Sequence, residues 1–537
     1  MGQQLSLNIT LSLLIGIFTL YILSAIGFIF GLSINLSYIL IAVVCAIYAP
    51  VKLCNYKPKE TIISLIIIVL LTLLCGYISE QIMDMSNDGQ WYHQTGIIFL
   101  KKGWNPIYTT ATSFLHQNWN VEINGLEYVN SYPKFAEIVA ANIYYLTENI
   151  ELGKTLNFLS LVILGFYTFY TLKKYLFKNN TVIAVVFSIL MVINPVSLAQ
   201  MHTFYVDNLV YVYFMLMVLS LIDIECSNFL NKTAWLILTI SAIILANIKL
   251  VGLIYAAEIL FFYGLYLWYF KKKNTAKILK KTSLIVVGLL LVCAANPYFT
   301  NIAQGKHILY PVFGSDTADI MEHNMPTEFH NKSMAYKLFM STFSKVDNSF
   351  AEFKSLDNKL KLKAPFTVKK EELPYLRFWD VRQCGFGVLW SGILILSVLL
   401  SFFIRYKNKK DKSTGLMVLG LLTLSVLLNL ENWWARYVPQ FYAIPILVLA
   451  LYASNASSAK QKLISSICCL IIFINSAISY KEISLAALNF TEQKQVQLNN
   501  MEKMKRQPDF IKNLEQSKIR DDFSATVLLF LDKYGRK

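Results

Sequence analysis

Long uninterrupted apolar runs are the feature that most constrains this sequence. A run of about 20 apolar residues can cross a hydrocarbon core about 30 Å thick as an α-helix. The sequence predicts about thirteen such spans, at residues 8–30, 34–51, 61–80, 152–172, 181–200, 205–222, 234–250, 251–270, 282–298, 385–404, 415–430, 437–453 and 462–479. We therefore expect an all-α integral membrane protein with amphipathic helices and loops on its outer face.

The composition agrees with this class. Of the 537 residues, 55% are hydrophobic and only 15% are charged, and the mean hydropathy is +0.48. Soluble domains carry about 45–50% apolar and about 25% charged residues. The first apolar run has no basic segment before it and no small-residue cleavage site. We therefore expect it to remain as a helix and not to be removed as a signal peptide.

Basic residues predict the orientation of the chain. They cluster in the segments 52–59, 173–178, 271–281 and 405–412, which follow the second, fourth, eighth and tenth predicted spans. With thirteen spans, all four segments lie on one side, and the positive-inside rule makes that side the cytoplasm. This predicts a multi-pass protein of the inner (cytoplasmic) membrane with a cytoplasmic N-terminus. The net charge of +16 then reflects topology and attraction to membrane lipids, not nucleic-acid binding.

The same topology divides the chain into six parts. These are N-terminal transmembrane helices at 1–80, an outer loop at 81–151, a transmembrane bundle at 152–298, a large outer loop at 299–384, C-terminal transmembrane helices at 385–479 and a polar tail at 480–537. The first outer loop is predicted to contain amphipathic helices. We interpret the tail as a small outer-face unit that packs on the outer loops.

Signatures of metal and nucleotide sites are absent from the sequence. There is no CxxC pair, no HExxH motif and no glycine-rich phosphate loop. Cys384 is the cysteine predicted at the outer edge, so we expect no disulfide framework. We expect neither a metal nor a cofactor.

The stretch "SNDGQWYHQ", residues 86–94, places an acid, aromatic residues and a histidine at the outer end of an apolar run. Asp88 either caps a turn or acts as a general base whose pKa is adjusted by partial burial at the lipid boundary. Tyr92 and His93 follow it within one turn, and Asp84 precedes it by four residues.

Three basic positions on the predicted outer face are candidate phosphate contacts. Lys249 lies between two apolar runs, where it either binds a phosphate or extends its ammonium to the interface. Arg382 lies near Arg377 and Asp380, an arrangement that suits a phosphate clamp and an ion-pair network equally. Arg436 follows two tryptophans in "ENWWARYVPQ", which we interpret as interfacial belt residues, and it is placed to bind a lipid-linked phosphate.

The segment "NPYFTNIAQGKHILYP", residues 296–311, leaves the ninth predicted span with two prolines and several polar side chains. Lys306, His307 and Tyr310 are candidates for contacts with a polar ligand. The alternative is an ordinary helix exit, for which Asn-Pro is typical.

Together these motifs resemble the bacterial GT-C glycosyltransferases, multispanning enzymes that use polyprenyl-phosphate-linked sugars as donors. The resemblance extends loosely over residues 80–450 and is carried by "DGQWYH", "NPYFTNIAQGKHILYP", "LKAPFTV" with "DVRQCGFG", and "WWARYVPQ". It implies a GT-C-like fold, a glycan or glycolipid acceptor, an outer-face acid that deprotonates the acceptor hydroxyl, and inversion at the anomeric carbon.

The resemblance also implies roles for individual residues. It makes Asp88 the catalytic base, gives Lys249, Arg382 and Arg436 contacts with the donor phosphate, and gives His93 and His307 contacts with donor or acceptor. Tyr92 and Tyr310 are further candidate substrate contacts. The sequence departs from the family because two additional helices precede Asp88 and no acidic pair is obvious there. Asp84, and Asp207 in "FYVDN", therefore remain alternative bases.

Two other functions remain open. An O-antigen-type polymerase or ligase, which joins lipid-linked oligosaccharides, would use the large outer loop with Arg377, Arg382 and His307. A lipid or glycolipid transporter would bind its cargo near the membrane midplane and would be expected to have charged residues deep within several spans.

Overall fold

The structure is a computed structural model that describes residues 2–54, 58–315, 317, 324–349, 360–505, 507, 509–515, 518–519 and 523–534. Its α-helices are Gly2–Ile29, Leu36–Cys54, Pro58–Gln81, Gln94–Lys101, Ala111–Asn118, Leu126–Ser131, Phe135–Thr147, Thr155–Tyr175, Thr181–Val192, Pro195–Gln200, Asp207–Cys226, Lys232–Ala246, Leu250–Tyr269, Lys273–Cys293, Thr300–Ala303, Met334–Phe343, Trp390–Ser401, Lys409–Leu427, Ala443–Ser454, Ala459–Met504, Phe510–Glu515 and Ser524–Tyr534. The described residues are therefore predominantly helical.

Shorter elements connect these helices. They are the π-helical turns Gly89–His93 and Ala295–Phe299, the 3₁₀ turns Ile150–Lys154, Thr327–Phe329, Lys370–Arg377, Ala435–Tyr437 and Pro439–Tyr442, and the strands Glu122–Ile123 and Lys518–Ile519. The two strands pair in parallel, with Ile123 opposite Ile519.

Seven helices of the described chain are long and apolar enough to cross a membrane. They begin at Gly2, Leu36, Lys59, Ile150, Asp207, Leu250 and Ala459. The number becomes eight if the pair Lys273–Cys293 and Ala295–Ala303, which is bent by 70°, is one span. The prediction of an all-α membrane protein is confirmed at this level, but the count of thirteen spans is not.

The difference arises where predicted spans contain helix-breaking residues. Four predicted spans correspond to shorter apolar helices, Thr181–Val192, Lys232–Ala246, Trp390–Ser401 and Pro439–Ser454. In the first of these cases the helix ends before Asn194, whose side chain accepts a hydrogen bond from the Val196 amide and so starts a new helix at Pro195. Proline is favoured at a first helical position because its missing N–H is not needed there. A predicted span of 20 residues thus becomes two shorter helices.

The helix Asp207–Cys226 lies at the centre of the bundle. Nearly all of its residues are buried, and it packs against Thr155–Tyr175, Lys232–Ala246 and Leu250–Tyr269. Its sequence is apolar on every face, as expected for a helix without a lipid-facing or solvent-facing side. This helix fixes the position of Asp207, its first residue.

The bundle has two chemically different ends. At one end, which we call the lysine end, Lys174 pairs with Asp223 at 2.9 Å, Lys272 pairs with Glu225, and Lys410 contacts Asn228. Three of the four predicted basic segments therefore lie together at this end. The fourth, 52–59, includes residues 55–57, which lie outside the described residues. We call the opposite end, where the helices from Asp207 and Leu250 begin, the site end.

The C-terminal tail packs on the segment 81–151. The helix Ala459–Met504 continues beyond the predicted span, and Lys494 donates a hydrogen bond to the Asp84 carbonyl at 3.0 Å. Further on, the helix Ser524–Tyr534 packs against the Gly89–His93 turn, where the Thr526 amide donates to Gln90 Oε1 at 3.1 Å. The described part of the tail therefore braces the segment that carries Asp88.

Candidate functional site

Six charged side chains from five parts of the sequence meet at the site end. They are the carboxylates of Asp88, Asp207 and Asp380 and the cations of Lys249, Arg382 and Arg436. We call this group the Arg436 cluster. Its three negative and three positive groups give a formal charge of zero.

Arg436 lies at the centre of the cluster. Its Nη1 lies 3.1 Å from Asp88 Oδ2 and 3.7 Å from Asp207 Oδ2, and its Nε lies 3.1 Å from Asp380 Oδ1. Burial alone would lower the pKa of this guanidinium, but the three carboxylates outweigh burial and hold the pKa well above its usual value. Arg436 is therefore a permanent positive charge.

The position of Arg436 is fixed by its backbone and by neighbouring rings. The Arg436 amide donates to the Val381 carbonyl at 3.1 Å, which joins this turn to the segment that carries Asp380. The guanidinium carbon lies 4.9 Å from the Tyr205 ring centre and 5.1 Å from that of Trp434. Arginine suits such a site because its planar group stacks on rings while binding carboxylates.

Asp207 and Lys249 form the second part of the cluster. Lys249 Nζ lies 2.7 Å from Asp207 Oδ1 and 4.3 Å from the Tyr437 ring centre. Asp207 is the first residue of its helix, where the helix dipole favours a carboxylate. Burial would lower the pKa of Lys249, but Asp207 outweighs burial and raises it. Lys249 precedes the helix Leu250–Tyr269 and so lies at the site end.

Asp380 and Arg382 form the third part. Arg382 Nη2 donates to Asp380 Oδ2 at 2.8 Å and to Asn324 Oδ1 at 2.8 Å, and Trp434 Nε1 donates to Asp380 Oδ1 at 3.0 Å. Burial would raise the pKa of Asp380, but Arg382 and Arg436 outweigh it and lower the pKa. Asp380 is therefore a stable anion that orients both arginines.

Asp88 differs from the other two carboxylates in its exposure. Its side chain is 17% exposed, whereas those of Asp207 and Asp380 are 1% and 3% exposed. It makes no side-chain capping hydrogen bond at the Gly89–His93 turn. Its Oδ2 contacts Arg436, and in the described part of the chain its Oδ1 accepts no hydrogen bond. The Asp88 side chain therefore does not cap this turn, although Asp88 occupies the N-cap position.

Aromatic rings surround Asp88. Tyr92 packs edge-on against Tyr132 with 5.4 Å between ring centres, and Trp91 packs edge-on against Tyr128 at 4.8 Å. Burial raises the pKa of Tyr128 to about 12, and the carboxylates of Glu127 and Asp88 add to this shift. Its hydroxyl therefore stays neutral and can donate hydrogen bonds.

Asp84 lies outside the cluster and organises the loop. Its carboxylate accepts hydrogen bonds from the Ser86 amide at 2.9 Å and from Gln94 Nε2 at 3.0 Å. Burial is the main cause that raises its pKa, and the neighbouring Glu151 carboxylate adds to the shift. A Cβ at Gly89 would lie 1.9 Å from Asp84 Oδ2, so the loop needs glycine at that position.

The remaining predicted site residues have other partners. His93 Nδ1 lies 2.6 Å from Glu137 Oε1 in a buried pair. His307 is exposed, and its Nδ1 accepts a hydrogen bond from the Leu309 amide at 3.1 Å. Tyr310 is buried, and its ring lies 4.2 Å below the Lys306 ammonium. None of these contacts joins the Arg436 cluster.

Sequence reasoning placed three residues of the site differently. Asp380 was noted only as a neighbour of Arg382, although it binds both arginines. The interpretation of Trp433 and Trp434 as interfacial belt residues is wrong, because they are 0% and 1% exposed. An acid two residues before an arginine can form an ion pair with it, and this spacing in the sequence indicates the contact between Asp380 and Arg382.

Within the described residues, no group of three or more His, Cys, Asp and Glu side chains could hold a metal ion. The comparisons with known proteins add no identity: no family model matches this chain, and neither a curated protein nor a solved structure is significantly similar to it.

Proposed function

We propose that this protein is a GT-C-type membrane glycosyltransferase that moves a sugar from a polyprenyl-phosphate donor to a hydroxyl of a glycan or glycolipid acceptor. The observation that carries the proposal is the Arg436 cluster. One partly exposed carboxylate, Asp88, contacts a buried arginine, and a partly exposed lysine, Lys249, lies at the same end of the bundle. This combines a candidate base and phosphate-binding cations in one site.

In the proposed reaction, Asp88 accepts the proton of the acceptor hydroxyl while that oxygen attacks the anomeric carbon. The bond between this carbon and the phosphate oxygen breaks, and the polyprenyl phosphate leaves with the bonding electrons, so the configuration inverts. Protonation of Asp88 removes one of the three carboxylates that neutralise Arg436. The positive charge of Arg436 then becomes available to the departing phosphate, which is how fixed charges stabilise a transition state.

The proposed roles divide the cluster into two sets. Asp88, Arg436 and Lys249 act on substrate, whereas Asp380 is a positioning residue because its carboxylate binds Arg382, Arg436 and Trp434. Arg382 already binds Asp380 and Asn324 through its guanidinium, which supports a positioning role for it as well. Asp207 is nearly fully buried beneath Lys249, which supports Asp88 over Asp207 as the base.

The separation of the two ends supports a location for the proposed reaction. The cluster lies at the opposite end of the bundle from the lysine end. Under the positive-inside rule, the lysine end is cytoplasmic and the reaction takes place at the outer face of the cytoplasmic membrane.

The alternatives have less support. The polymerase hypothesis needs Arg377, Arg382 and His307 to act together, but each has a different partner. Arg377 pairs with Glu482 and Arg382 with Asp380. His307 accepts a hydrogen bond from the Leu309 amide. The transporter hypothesis expects charge at the membrane midplane, whereas the Arg436 cluster lies at helix ends.

The test is transfer from labelled polyprenyl-phosphate sugars in membranes that contain the native protein or the variant Asp88→Asn. Because a positioned general base contributes about 10²- to 10⁴-fold, we expect Asp88→Asn to lose at least 10²-fold in turnover and to retain donor binding. Glu127→Gln, which changes an exposed carboxylate near Tyr128, is the matched control and should turn over normally. Normal turnover by Asp88→Asn would refute its role as the base.

A further inference from the structure

An open groove runs between the helices Leu250–Tyr269 and Lys273–Cys293, beginning at the lysine end. Its cavity volume is about 380 Å³, within the range of about 300–1,000 Å³ that is common for ligand sites. The first helix contributes Gly264, and the second contributes Ala276, Leu279, Lys280, Ser283, Leu284 and Val287. We call this the Lys280 groove. Its lining is apolar except for one lysine and one serine.

The groove opens toward the surroundings of the bundle and not toward its interior. Leu284 and Val287 in the groove are 63% and 56% exposed, and Phe261 and Leu265 on the facing helix are 61% and 45% exposed. Both helices belong to segments that are long and apolar enough to cross a membrane. Exposed apolar side chains on such helices contact lipid, so an occupant of this groove comes from the bilayer.

The length of the groove matches one leaflet of a bilayer. From Ala276 to Val287 the helix rises about 16 Å, and half of a hydrocarbon core is about 15 Å thick. Side chains in a helix are tilted toward its N-terminus, which here is at the lysine end. Lys280 therefore extends toward the headgroup level, and the deeper part of the groove offers only apolar contacts and Ser283.

The charged end of the groove carries positive charge that no carboxylate cancels. The stretch 259–315 contains no aspartate or glutamate, and the nearby carboxylate of Glu225 is paired with Lys272. Five other lysines of this segment are exposed and form no ion pair within the part of the chain that the structure describes, namely Lys271, Lys273, Lys277, Lys280 and Lys281. This end of the groove therefore favours an anionic group.

The start of the helix Lys273–Cys293 adds to the same positive potential. A helix N-terminus carries the positive end of the helix dipole and is usually occupied by acidic or capping side chains. This helix has no acidic residue in its first turn and no side-chain hydrogen bond at its N-cap, Lys272. Lysines at a helix N-terminus are unfavourable alone, so an anion bound there is stabilised by both the side chains and the dipole.

We propose that the Lys280 groove binds one anionic phospholipid, with its phosphate beside Lys280 and an acyl chain along Gly264, Ala276 and Val287. Inorganic phosphate would leave the apolar part of the groove without a specific occupant. A zwitterionic phospholipid would bring a further cation among the lysines. Under the positive-inside rule the lipid belongs to the cytoplasmic leaflet, where anionic headgroups attract lysines. The site is independent of glycosyl transfer, because it begins at the opposite end of the bundle.

The experiment measures lipid retention by the detergent-solubilised full-length protein with native mass spectrometry, using dioleoyl phosphatidylglycerol as the probe. Gly264→Leu fills the groove without overlap, because a Cβ at this position lies 3.7 Å from Leu279 Cδ2. Lys280→Glu reverses the charge in its lining. The matched controls are Gly420→Leu, where nothing lies within 4 Å of a Cβ, and Lys178→Glu, an exposed lysine at the same end of the bundle.

We expect the native protein to retain one phosphatidylglycerol at least tenfold more tightly than dioleoyl phosphatidylcholine. Each groove variant should weaken retention at least fivefold, and both controls should match the native protein in retention and in unfolding temperature. Equal retention of the two phospholipids would overturn the proposal. An effect of Lys280→Glu without one of Gly264→Leu would also overturn it, because it would show attraction to the charged end alone. Displacement of the lipid by inorganic phosphate would have the same meaning.

Discussion

At the scale of single residues, the exposure of Asp88 and the burial of Arg436 separate two chemical tasks. Asp88 is partly exposed, whereas Arg436 is enclosed by three carboxylates and three aromatic rings. A buried cation with paired carboxylates is costly to disturb, because removing one partner leaves the others uncompensated.

We predict that Arg436→Lys will lower the free energy of unfolding by about 3 kcal/mol and reduce sugar transfer by at least tenfold. Lysine keeps the charge but cannot reach Asp88, Asp207 and Asp380 together, and breaking a buried ion pair costs about 3–5 kcal/mol. Thermal unfolding in detergent and the transfer assay measure the two effects. Arg377→Lys is the control, because that guanidinium is 44% exposed and pairs with Glu482, so its replacement should change stability by less than about 1 kcal/mol. An unchanged Arg436→Lys protein would contradict the central role of the guanidinium.

A second prediction concerns His202, which is buried in the turn before the central helix. Burial and, secondarily, Lys154 lower the pKa of His202 to about 4 from 6.5. Below pH 6.5 the unfolded chain therefore takes up a proton that the folded chain does not accept, so this residue reduces stability progressively as the pH falls from 6.5 to 4.

Between pH 7 and pH 4.5, the free energy of unfolding should fall by about 2 kcal/mol less in His202→Asn than in the native protein. The exposed His116 provides the control substitution, His116→Asn, which should follow the native pH profile. Parallel profiles for the native protein and His202→Asn would show that the histidine is not protected from protonation.

At the scale of elements, the turn Gly89–His93 determines where Asp88 points. The turn is held by Asp84, whose carboxylate binds the Ser86 amide and Gln94 and leaves no room for a side chain at Gly89. The geometry of this short turn therefore links a buried structural acid to a partly exposed candidate base.

We predict that Gly89→Ala will reduce transfer at least tenfold and destabilise the protein by about 1–3 kcal/mol, because its methyl group would overlap Asp84 Oδ2 and Ser86 Oγ. Gly420→Ala is a matched control, since nothing lies within 4 Å of a Cβ at that helical position. Comparison of transfer rate and unfolding temperature for both variants is the measurement. Native behaviour of Gly89→Ala would show that the loop tolerates a shift of this turn.

The helical elements themselves were only partly predictable. Apolar length identifies helices such as Pro58–Gln81 and Leu250–Tyr269, since hydrophobicity alone specifies a membrane span. It does not reveal that the helix from Thr181 ends before Asn194, or that the chain bends by 70° after Cys293. These breaks depend on local capping and on packing. The mean hydropathy of a long window does not detect either effect.

At the scale of the whole molecule, the two ends of the bundle predict an orientation. Single cysteines introduced at Ser113 and Lys407, in a chain whose native cysteines are replaced, should react differently with a membrane-impermeant thiol reagent. Ser113 is an exposed residue of the helix Ala111–Asn118 at the site end, and Lys407 lies at the lysine end. We expect labelling of the first in intact cells and of the second only after permeabilisation. The reverse pattern would place the candidate site in the cytoplasm.

Four of the predicted site residues lie close together in the structure. Asp88, Asp207, Lys249 and Arg436 each lie beside an apolar run in the sequence, a position that favours the end of a helical bundle, but the sequence does not give their lateral arrangement. His93 lies in the same stretch as Asp88, but it pairs with Glu137, 44 residues away. The direction in which a side chain points from a helix depends on such distant partners. A single sequence does not reveal them.

The contact between Thr526 and Gln90 joins residues that are synthesised at very different times. Gln90 lies two residues after Asp88, and its side-chain oxygen accepts both hydrogen bonds from a residue 436 positions later. At synthesis rates of about 5–20 residues per second, roughly 20–90 s separate the appearance of the two residues. The hydrogen bonds between Gln90 and Thr526 therefore form only after nearly all of the chain has been synthesised. A chain that is interrupted before residue 524 lacks them.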